Sequence, residues 1–214
     1  MQRNEHQGTV EWHADRQGTI TASNFHTVMH GTKRGWLSLI EKINQSPEDA
    51  ASRFENGAPR SIRWGHDHEP EAIKLFEFMN DVSVDLVGLQ RHPENSLIGA
   101  SPDFLLGEDC GGEVKCPLST DNHLAVMLSM EVPAKYFAQV QGGMWVTGRK
   151  RWWFISYDPR QRPENRLVQF VVERDQEYIE RLSTRVEQFI DVWKNGAPIG
   201  KYFGGSGGEI PSLF

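Results

Sequence analysis

Two acidic residues and a lysine stand close together in the segment SPDFLLGEDCGGEVKCP, residues 101–117. Asp103 ends one predicted strand, and Glu113 and Lys115 occupy alternate positions of the next. Because side chains alternate between the two faces of a strand, Glu113 and Lys115 project from the same face. Neighbouring carboxylates repel each other and hold their protons more tightly unless a divalent cation lies between them. The pattern therefore predicts a pair of carboxylates that binds a cation beside a lysine.

Mg2+ is the cation that best fits such a pair. It uses few carboxylates and keeps positions for water and phosphate oxygens, as phosphodiester hydrolysis requires. Lys115 would then orient the attacking water or stabilise charge on the phosphate. The alternative is a surface turn holding Asp103 with a solvated Glu113–Lys115 pair, because this short spacing uses common residues. The two interpretations differ in how the surrounding helices and strands position the three residues.

Composition limits the classes of protein that the chain can belong to. With 214 residues, 38% of them hydrophobic and 24% charged, it fits one α/β domain with a core of its own. The net charge of −6 argues against indiscriminate nucleic-acid binding, so any DNA must be met by a local basic surface. No apolar run approaches the roughly 18 residues that span a bilayer, and residues 1–13 lack a signal sequence, so we expect no membrane partner and a cytoplasmic location. Cys110 and Cys116 have neither disulfide-framework nor zinc spacing, and we interpret them as a turn residue and a strand-end core residue.

Apolar periodicity predicts helices and strands in the order ααα-βββ-α-ββ-α. Glu69 falls in the first turn of the third helix, close to Pro70, and a mobile loop is expected before that helix. This order predicts an α/β domain with a mixed sheet of about five strands flanked by helices. The predicted helices cover 21–31, the apolar patch at 36–40, 64–80, 131–147 and 175–195, and the predicted strands cover 82–93, 96–106, 111–118, 151–159 and 166–175.

The last fourteen residues differ from the rest of the chain. We predict a single domain over residues 1–200 and a flexible Gly/Ser-rich tail over 201–214. The tail ends in a short apolar peptide that contains Ile210, Leu213 and Phe214. A flexible tether with an apolar end is typical of a docking peptide, and a frayed terminus is the alternative.

The Asp-x9-Glu-x-Lys pattern on consecutive strands resembles the PD-(D/E)XK nuclease superfamily. The chain is similar in particular to lambda exonuclease and the YqaJ-type viral recombinases, over about residues 11–195. Phe104 departs from the pattern, since relatives often have Gly after the aspartate, and it either narrows the site or packs inward. The resemblance implies a restriction-endonuclease-like core. The stretches that carry it are EWHADRQGTITAS (11–23), WGHDHEPEAIKLFEF (64–78), GASPDFLL (99–106), EVKCP (113–117), YFAQVQGGMWVT (136–147), WWFISYDPR (152–160) and FVVERD (170–175).

The resemblance also implies roles for the residues of the pattern. Asp103, Glu113 and the Val114 carbonyl would bind metal, with two Mg2+ ions expected and Mn2+ able to replace them. Lys115 would be the catalytic lysine, and Glu69 would match the additional acidic residue of the family site. Gln139 would match the glutamine of the YxAQxQ helix beside the active site, and it is assigned with the catalytic residues.

A second group of residues falls where the family binds the terminal 5′-phosphate of DNA. Arg16 can form a two-pronged contact with phosphate oxygens, and Thr21 and Ser23 precede a predicted helix whose free N–H groups favour an anion. Ordinary helix capping by Thr21 or Ser23 is the alternative. Further DNA contacts are expected at Lys33, Arg34 and Tyr136.

The resemblance implies a Mg2+-dependent exonuclease that degrades double-stranded DNA from the 5′ end. It would release 5′-mononucleotides and leave a 3′ single strand for a single-strand annealing protein in phage-type recombination. A homotrimeric ring around DNA, a phage or prophage origin in a bacterial host, and contact of the tail with a partner protein are expected with it. Two alternatives stay open: a structure- or sequence-specific DNA endonuclease of the same superfamily, and a non-catalytic module that binds DNA ends.

Overall fold

The computed structural model describes residues 9–203, which form a mixed α/β fold with two sheets. Eight α-helices and seven strands fall within this part of the chain. The helices are α1 Val10–Arg16, α2 Phe25–His30, α3 Lys33–Asn44, α4 Pro47–Gly57, α5 Arg60–Asn80, α6 Thr120–Ser129, α7 Ala134–Thr147 and α8 Gln176–Asn195, and the strands are β1 Ile20–Thr21, β2 Gln90–Arg91, β3 Ile98–Ala100, β4 Phe104–Leu106, β5 Cys110–Lys115, β6 Arg151–Tyr157 and β7 Leu167–Glu173.

The larger sheet carries the carboxylate–lysine pattern on an inner strand. Its order is β4-β5-β6-β7, with β5 antiparallel to β4 and parallel to β6. The smaller sheet has the order β1-β3-β2. The mixed α/β class is confirmed, with the strands divided between two sheets instead of one sheet of about five.

Several predicted elements differ from the observed ones. Residues 82–93 form only the two-residue strand β2 and an isolated bridge from Asp85 to Leu105. The expected mobile loop contains α4, which begins where Ser46 accepts a hydrogen bond from the Asp49 N–H and Pro47 takes the first helical position. Helix α6 was missed, because its apolar residues are not confined to one stripe. Cys110 is the buried first residue of β5, so its assignment to a turn was wrong, whereas Cys116 lies in the core as predicted.

Helix α7 tolerates two adjacent glycines because large side chains press against its backbone there. A Cβ atom on Gly142 would lie 2.3 Å from the Phe25 ring, and one on Gly143 would lie 2.8 Å from the Trp152 ring. Both aromatic residues are fully buried. The glycines therefore lower intrinsic helix stability and in exchange let α7 approach both α2 and the large sheet.

The end of the described chain packs on the core. Phe203 contacts Trp36 with 4.8 Å between ring centroids, and the Tyr202 hydroxyl donates a hydrogen bond of 2.5 Å to Asp191. The rest of the expected tail, residues 204–214 with Ile210, Leu213 and Phe214, lies outside the described residues, and the domain boundary at 200 stays a prediction. Among residues 9–203, no helix has the length and apolar character needed to cross a membrane.

Candidate active site

Asp103 is fixed against β5 by two hydrogen bonds. Its N–H donates to the Gly112 carbonyl at 3.1 Å, and its Oδ2 accepts a 2.6 Å hydrogen bond from the Val114 N–H. The next residue, Phe104, is fully buried and stacks on Phe76 with 5.1 Å between ring centroids. Phe104 therefore packs inward, and Asp103 is held beside the strand that carries Glu113.

Glu113 is a buried carboxylate that accepts two hydrogen bonds on one oxygen. Its Oε1 accepts from Lys115 Nζ at 2.5 Å and from Gln139 Nε2 at 2.6 Å, and only 4% of the residue is exposed. Gln139 also contacts Lys115, with 3.4 Å between its Oε1 and Nζ. The Lys115 ammonium lies 4.7 Å from the centroid of the Tyr136 ring. Helix α7 thus supplies the glutamine and the aromatic face that complete the cluster on β5.

Burial and charge shift the protonation of the two groups in a consistent way. Burial raises the pKa of Glu113 to about 7; Lys115 opposes this rise, and Asp103 adds to it. Burial would lower the pKa of Lys115, but the charges of Glu113 and Asp103 outweigh it and raise that pKa above its usual range. In the metal-free protein Lys115 therefore carries its proton at neutral pH and donates a hydrogen bond to Glu113.

Glu69 lies in the middle of α5, not in its first turn. The helix begins at Arg60, four residues before the predicted start at Trp64, so Glu69 is its tenth residue, and it runs on through Pro70. Glu69 is half-buried and faces the same cavity as Asp103 and Glu113. It therefore reaches the site from the helix that covers one face of the large sheet.

Arg16 is the last residue of α1, and its side chain contacts the hydroxyl of Ser101, which directly follows strand β3 of the smaller sheet. Its Nη2 donates to Ser101 Oγ at 2.8 Å, and its Nη1 donates to the Trp12 carbonyl at 3.0 Å. The guanidinium carbon lies 3.7 Å from the centroid of the Trp12 ring. Burial lowers the pKa of Arg16 to about 10, so it keeps its charge at neutral pH. Ser101 is a site residue that sequence reasoning missed, although it stands only two positions before Asp103.

Thr21 and Ser23 form a small hydroxyl cluster near Arg16. Their oxygens lie 3.0 Å apart, and Asn24 Nδ2 donates to the Thr21 hydroxyl at 3.1 Å. Neither side chain caps the following helix, so the capping interpretation is not supported. The predicted helix at 21–31 is a 3-10 turn at Ala22–Asn24 followed by the six-residue α2, which leaves little helix dipole to attract an anion.

One cavity joins both groups of residues. It has a volume of about 740 Å3 and extends between the two sheets and helices α1, α3, α4 and α5. The carboxylate–lysine cluster and the Arg16 cluster both line it, so two sets of residues predicted separately from sequence share one site. The predicted residues in its wall are Arg16, Thr21, Ser23, Glu69, Asp103, Glu113, Val114, Lys115 and Gln139.

The three residues expected to make further DNA contacts lie outside the wall of this cavity. Lys33 and Arg34 are exposed in the first turn of α3 and lie outside the wall of this cavity. Tyr136 also lies outside it but contacts Lys115 directly. Lys42 and Arg53, which the sequence analysis did not single out, line the cavity instead. The position of Arg53 on α4 could not be inferred while residues 46–61 were expected to be a mobile loop.

The donor set fits a magnesium site of the kind that uses few protein ligands. Asp103 and Glu113 lie close enough for the charge of Asp103 to raise the pKa of Glu113, and a cation between them would remove that repulsion. Across residues 9–203, no three His, Cys, Asp or Glu side chains come together as a metal cluster. Two carboxylates with a backbone carbonyl suit Mg2+, which keeps several water ligands, better than Zn2+ or Ca2+.

Comparison with protein families assigns most of the chain to one family. Residues 11–150 match the YqaJ-like viral recombinase domain. The chain belongs to the YqaJ-like viral recombinase family. ExoD of Escherichia coli (strain K12) is 39% identical to it over 74 residues, which are 34% of this chain and 84% of ExoD. The range that matches the family model, residues 11–150, includes Arg16, Glu69, Gln139 and the whole carboxylate–lysine pattern.

Solved structures share the fold of this protein over most of the chain. The alkaline exonuclease LHK-Exo from Laribacter hongkongensis is 28% identical, with a TM-score of 0.77 over 91% of this chain and 96% of that one. A second structure of LHK-Exo, in complex with dAMP, has a TM-score of 0.75 over the same shares of the two chains. A phage-related exonuclease from Haemophilus somnus 129PT shares the fold at 15% identity, with a TM-score of 0.61 over 84% of this chain and 96% of that one.

Proposed function

We propose that this YqaJ-like protein is a Mg2+-dependent exonuclease that degrades double-stranded DNA from 5′-phosphorylated ends and releases 5′-mononucleotides. The observation that carries the proposal is the cavity of about 740 Å3, whose wall contains both the Asp103–Glu113–Lys115 cluster and Arg16 with its hydroxyl neighbours. An anchor for a terminal phosphate beside a hydrolytic cluster would select the end of a strand. The name of LHK-Exo, an alkaline exonuclease that is 28% identical to this chain, supports the proposal.

The acidic residues of the site would bind the metal, and its lysine would stabilise negative charge on the phosphate. Asp103, Glu113 and the Val114 carbonyl would hold the metal, and Glu69 would add negative charge at its edge. When bound, Mg2+ supplies charge neutralisation at the scissile phosphate and makes water nucleophilic at neutral pH. Lys115, kept protonated by its acidic neighbours, would stabilise negative charge that develops on the phosphate oxygens. Gln139 would hold Glu113 in place through its 2.6 Å hydrogen bond.

Arg16 would receive the terminal phosphate. It already lies on Trp12 and donates to Ser101, so its guanidinium is held in place before DNA arrives. The hydroxyls of Ser101, Thr21 and Ser23 are neutral donors that can complete the coordination of phosphate oxygens. A pre-organised guanidinium loses little side-chain entropy when the phosphate binds.

Digestion of end-labelled DNA tests the proposal. Wild-type protein, Lys115→Ala and the exposed control Lys74→Ala are incubated in Mg2+ or chelator with linear duplexes carrying 5′-phosphate or 5′-hydroxyl ends, and with a closed circle. We expect wild type and Lys74→Ala to degrade the phosphorylated linear duplex in Mg2+ alone, and Lys115→Ala to be inactive.

Other outcomes separate the alternatives. Cleavage of the circle at the same rate would show an endonuclease and refute the phosphate-anchor argument. DNA-end binding by wild type without any cleavage would show a non-catalytic module. The trimeric ring, the annealing protein as partner and the docking role of residues 204–214 remain predictions of the family resemblance.

A further inference from the structure

Arg160 connects the ends of the two central parallel strands of the large sheet. It lies three residues beyond the end of β6, and its side chain turns back toward the segment that follows β5. Its Nη1 donates to the Leu118 carbonyl at 3.0 Å, and its Nη2 donates to the Pro117 carbonyl at 3.4 Å. The last paired residues of the β5–β6 ladder are Lys115 and Ser156. The guanidinium therefore holds the chain just after the ladder of backbone hydrogen bonds ends, two residues beyond Lys115.

A fully buried carboxylate fixes the guanidinium in that position. Asp158 Oδ1 accepts from Arg160 Nε at 2.7 Å, and Oδ2 accepts from Nη2 at 3.0 Å. The same Oδ2 accepts from the Thr120 hydroxyl at 2.9 Å, in the first turn of α6. A bidentate ion pair of this kind fixes the orientation of the guanidinium as well as its distance from the carboxylate. The pair ties the start of α6 to the ends of both strands.

Arg160 also contacts helix α5. Its guanidinium carbon lies 4.7 Å from the centroid of the Trp64 ring. Trp64 stands five residues before Glu69 on the same helix, and α5 comes close enough to the end of β5 that a Cβ on Gly65 would lie 3.9 Å from the Cys116 carbonyl. Arg160 thus contacts both the helix that carries Glu69 and the segment that follows Lys115.

We propose that Arg160 is a positioning residue that fixes the segment after Lys115 and the helix that bears Glu69 relative to each other. The inference rests on the proposed nuclease function only for its kinetic consequence. Arg160 lies outside the wall of the cavity, and four hydrogen bonds to protein groups already engage its side-chain donors. Since a guanidinium has five N–H donors, little of it is left to contact a DNA phosphate. Its position, not its charge, is what the site uses.

The test compares Arg160→Lys, Arg160→Met and the control Arg162→Met, which removes an exposed cation two positions away. Lysine keeps the charge but cannot form the two-pronged pair with Asp158 or stack as a plane on Trp64. Misplacement of reacting groups by about 1 Å costs about 10²-fold in rate, so we expect kcat to fall by about that factor in both Arg160 variants, with KM for DNA ends changed less than about twofold. Arg162→Met should match wild type.

A second readout needs neither metal nor DNA. Hydrogen exchange in chelator should be at least about tenfold faster for the backbone amides of residues 113–116, 118 and 60–69 in both Arg160 variants, while amides of β7 keep wild-type rates. Should Arg160→Met fail to fold, Arg160→Lys carries the test. Wild-type kcat in Arg160→Lys with a raised KM in Arg160→Met would show a phosphate contact and overturn the proposal, as would unchanged exchange. If wild type cleaves no DNA, the proposed function fails and the exchange measurement alone decides the role of Arg160.

Discussion

Replacing Glu113 by glutamine should make the metal-free protein more stable, and increasingly so as the pH rises. Glutamine keeps the shape of the carboxylate but cannot ionise. Burial raises the pKa of Glu113 from 4.5 to about 7 in the folded chain. Between those two pH values the unfolded chain loses the Glu113 proton while the folded chain retains it, so the free energy of unfolding of wild type falls across this window.

The pKa difference gives the size of the effect. At about 1.4 kcal/mol per pKa unit, a shift from 4.5 to about 7 corresponds to about 3 kcal/mol once the pH exceeds the folded value. Glu113→Gln should therefore exceed wild type by about 1 kcal/mol at pH 5 and about 3 kcal/mol at pH 8. In wild type Lys115 stays protonated across the range, because the charges of Glu113 and Asp103 raise its pKa.

Urea unfolding in chelator at pH 5, 6, 7 and 8 measures the difference, with Glu187→Gln on the exposed face of α8 as the control. Glu187→Gln should follow wild type at every pH. Added Mg2+ should stabilise wild type and not Glu113→Gln, because the cation needs the carboxylate. A Glu113→Gln protein that is less stable than wild type at pH 8 would refute the reasoning, since it would mean that the contact with Lys115 outweighs the cost of burial.

Two further predictions follow from contacts around the same strand. Gln139→Leu removes the 2.6 Å hydrogen bond to Glu113, and we expect kcat on phosphorylated duplex to fall about tenfold with KM unchanged; a changed KM alone would instead show a DNA contact. Gly112→Ala would bring a Cβ to 2.1 Å from the Phe104 ring, so the free energy of unfolding measured in urea should fall by about 1–3 kcal/mol. The control Gly57→Ala lies at an open position and should cause no loss. Equal stability of the two variants would contradict the packing of Phe104 on Gly112.

The sequence could predict the carboxylate–lysine cluster because its geometry is local. Glu113 and Lys115 are two positions apart on one strand, and the strand period alone places them on one face. Asp103 follows from the short connection between β4 and β5, which pair with Phe104 opposite Gly112. Gln139 needed the family resemblance, since no period or spacing connects a residue of α7 with a strand 26 positions earlier.

The elements that were missed had signals of another kind. Helix α4 begins with Ser46 and Pro47, a capping signal that the polar composition of residues 45–59 obscured. Helix α5 continues through Pro70, although an internal proline removes one hydrogen bond, because Ala72, Ile73 and Phe76 are buried against the large sheet. Local propensity favoured a boundary near Pro70 and tertiary packing overrode it, which moved Glu69 from the first turn to the middle of the helix.

The acidic composition and the proposed DNA substrate are compatible because one end of the cavity concentrates basic residues. Burial lowers the pKa of His13, and the nearby charges of Arg16 and Lys42 lower it further. These two cations therefore share one end of the site. Arg53 joins them from α4, which packs on α1 through Phe54 and His13 with 6.4 Å between ring centroids. A local group of cations makes the potential positive at its own end of the cavity, whatever the net charge of the protein. Basic residues at α1, α3 and α4 would draw the end of a duplex in, and the carboxylates of the sheet would then meet its first phosphodiester bond.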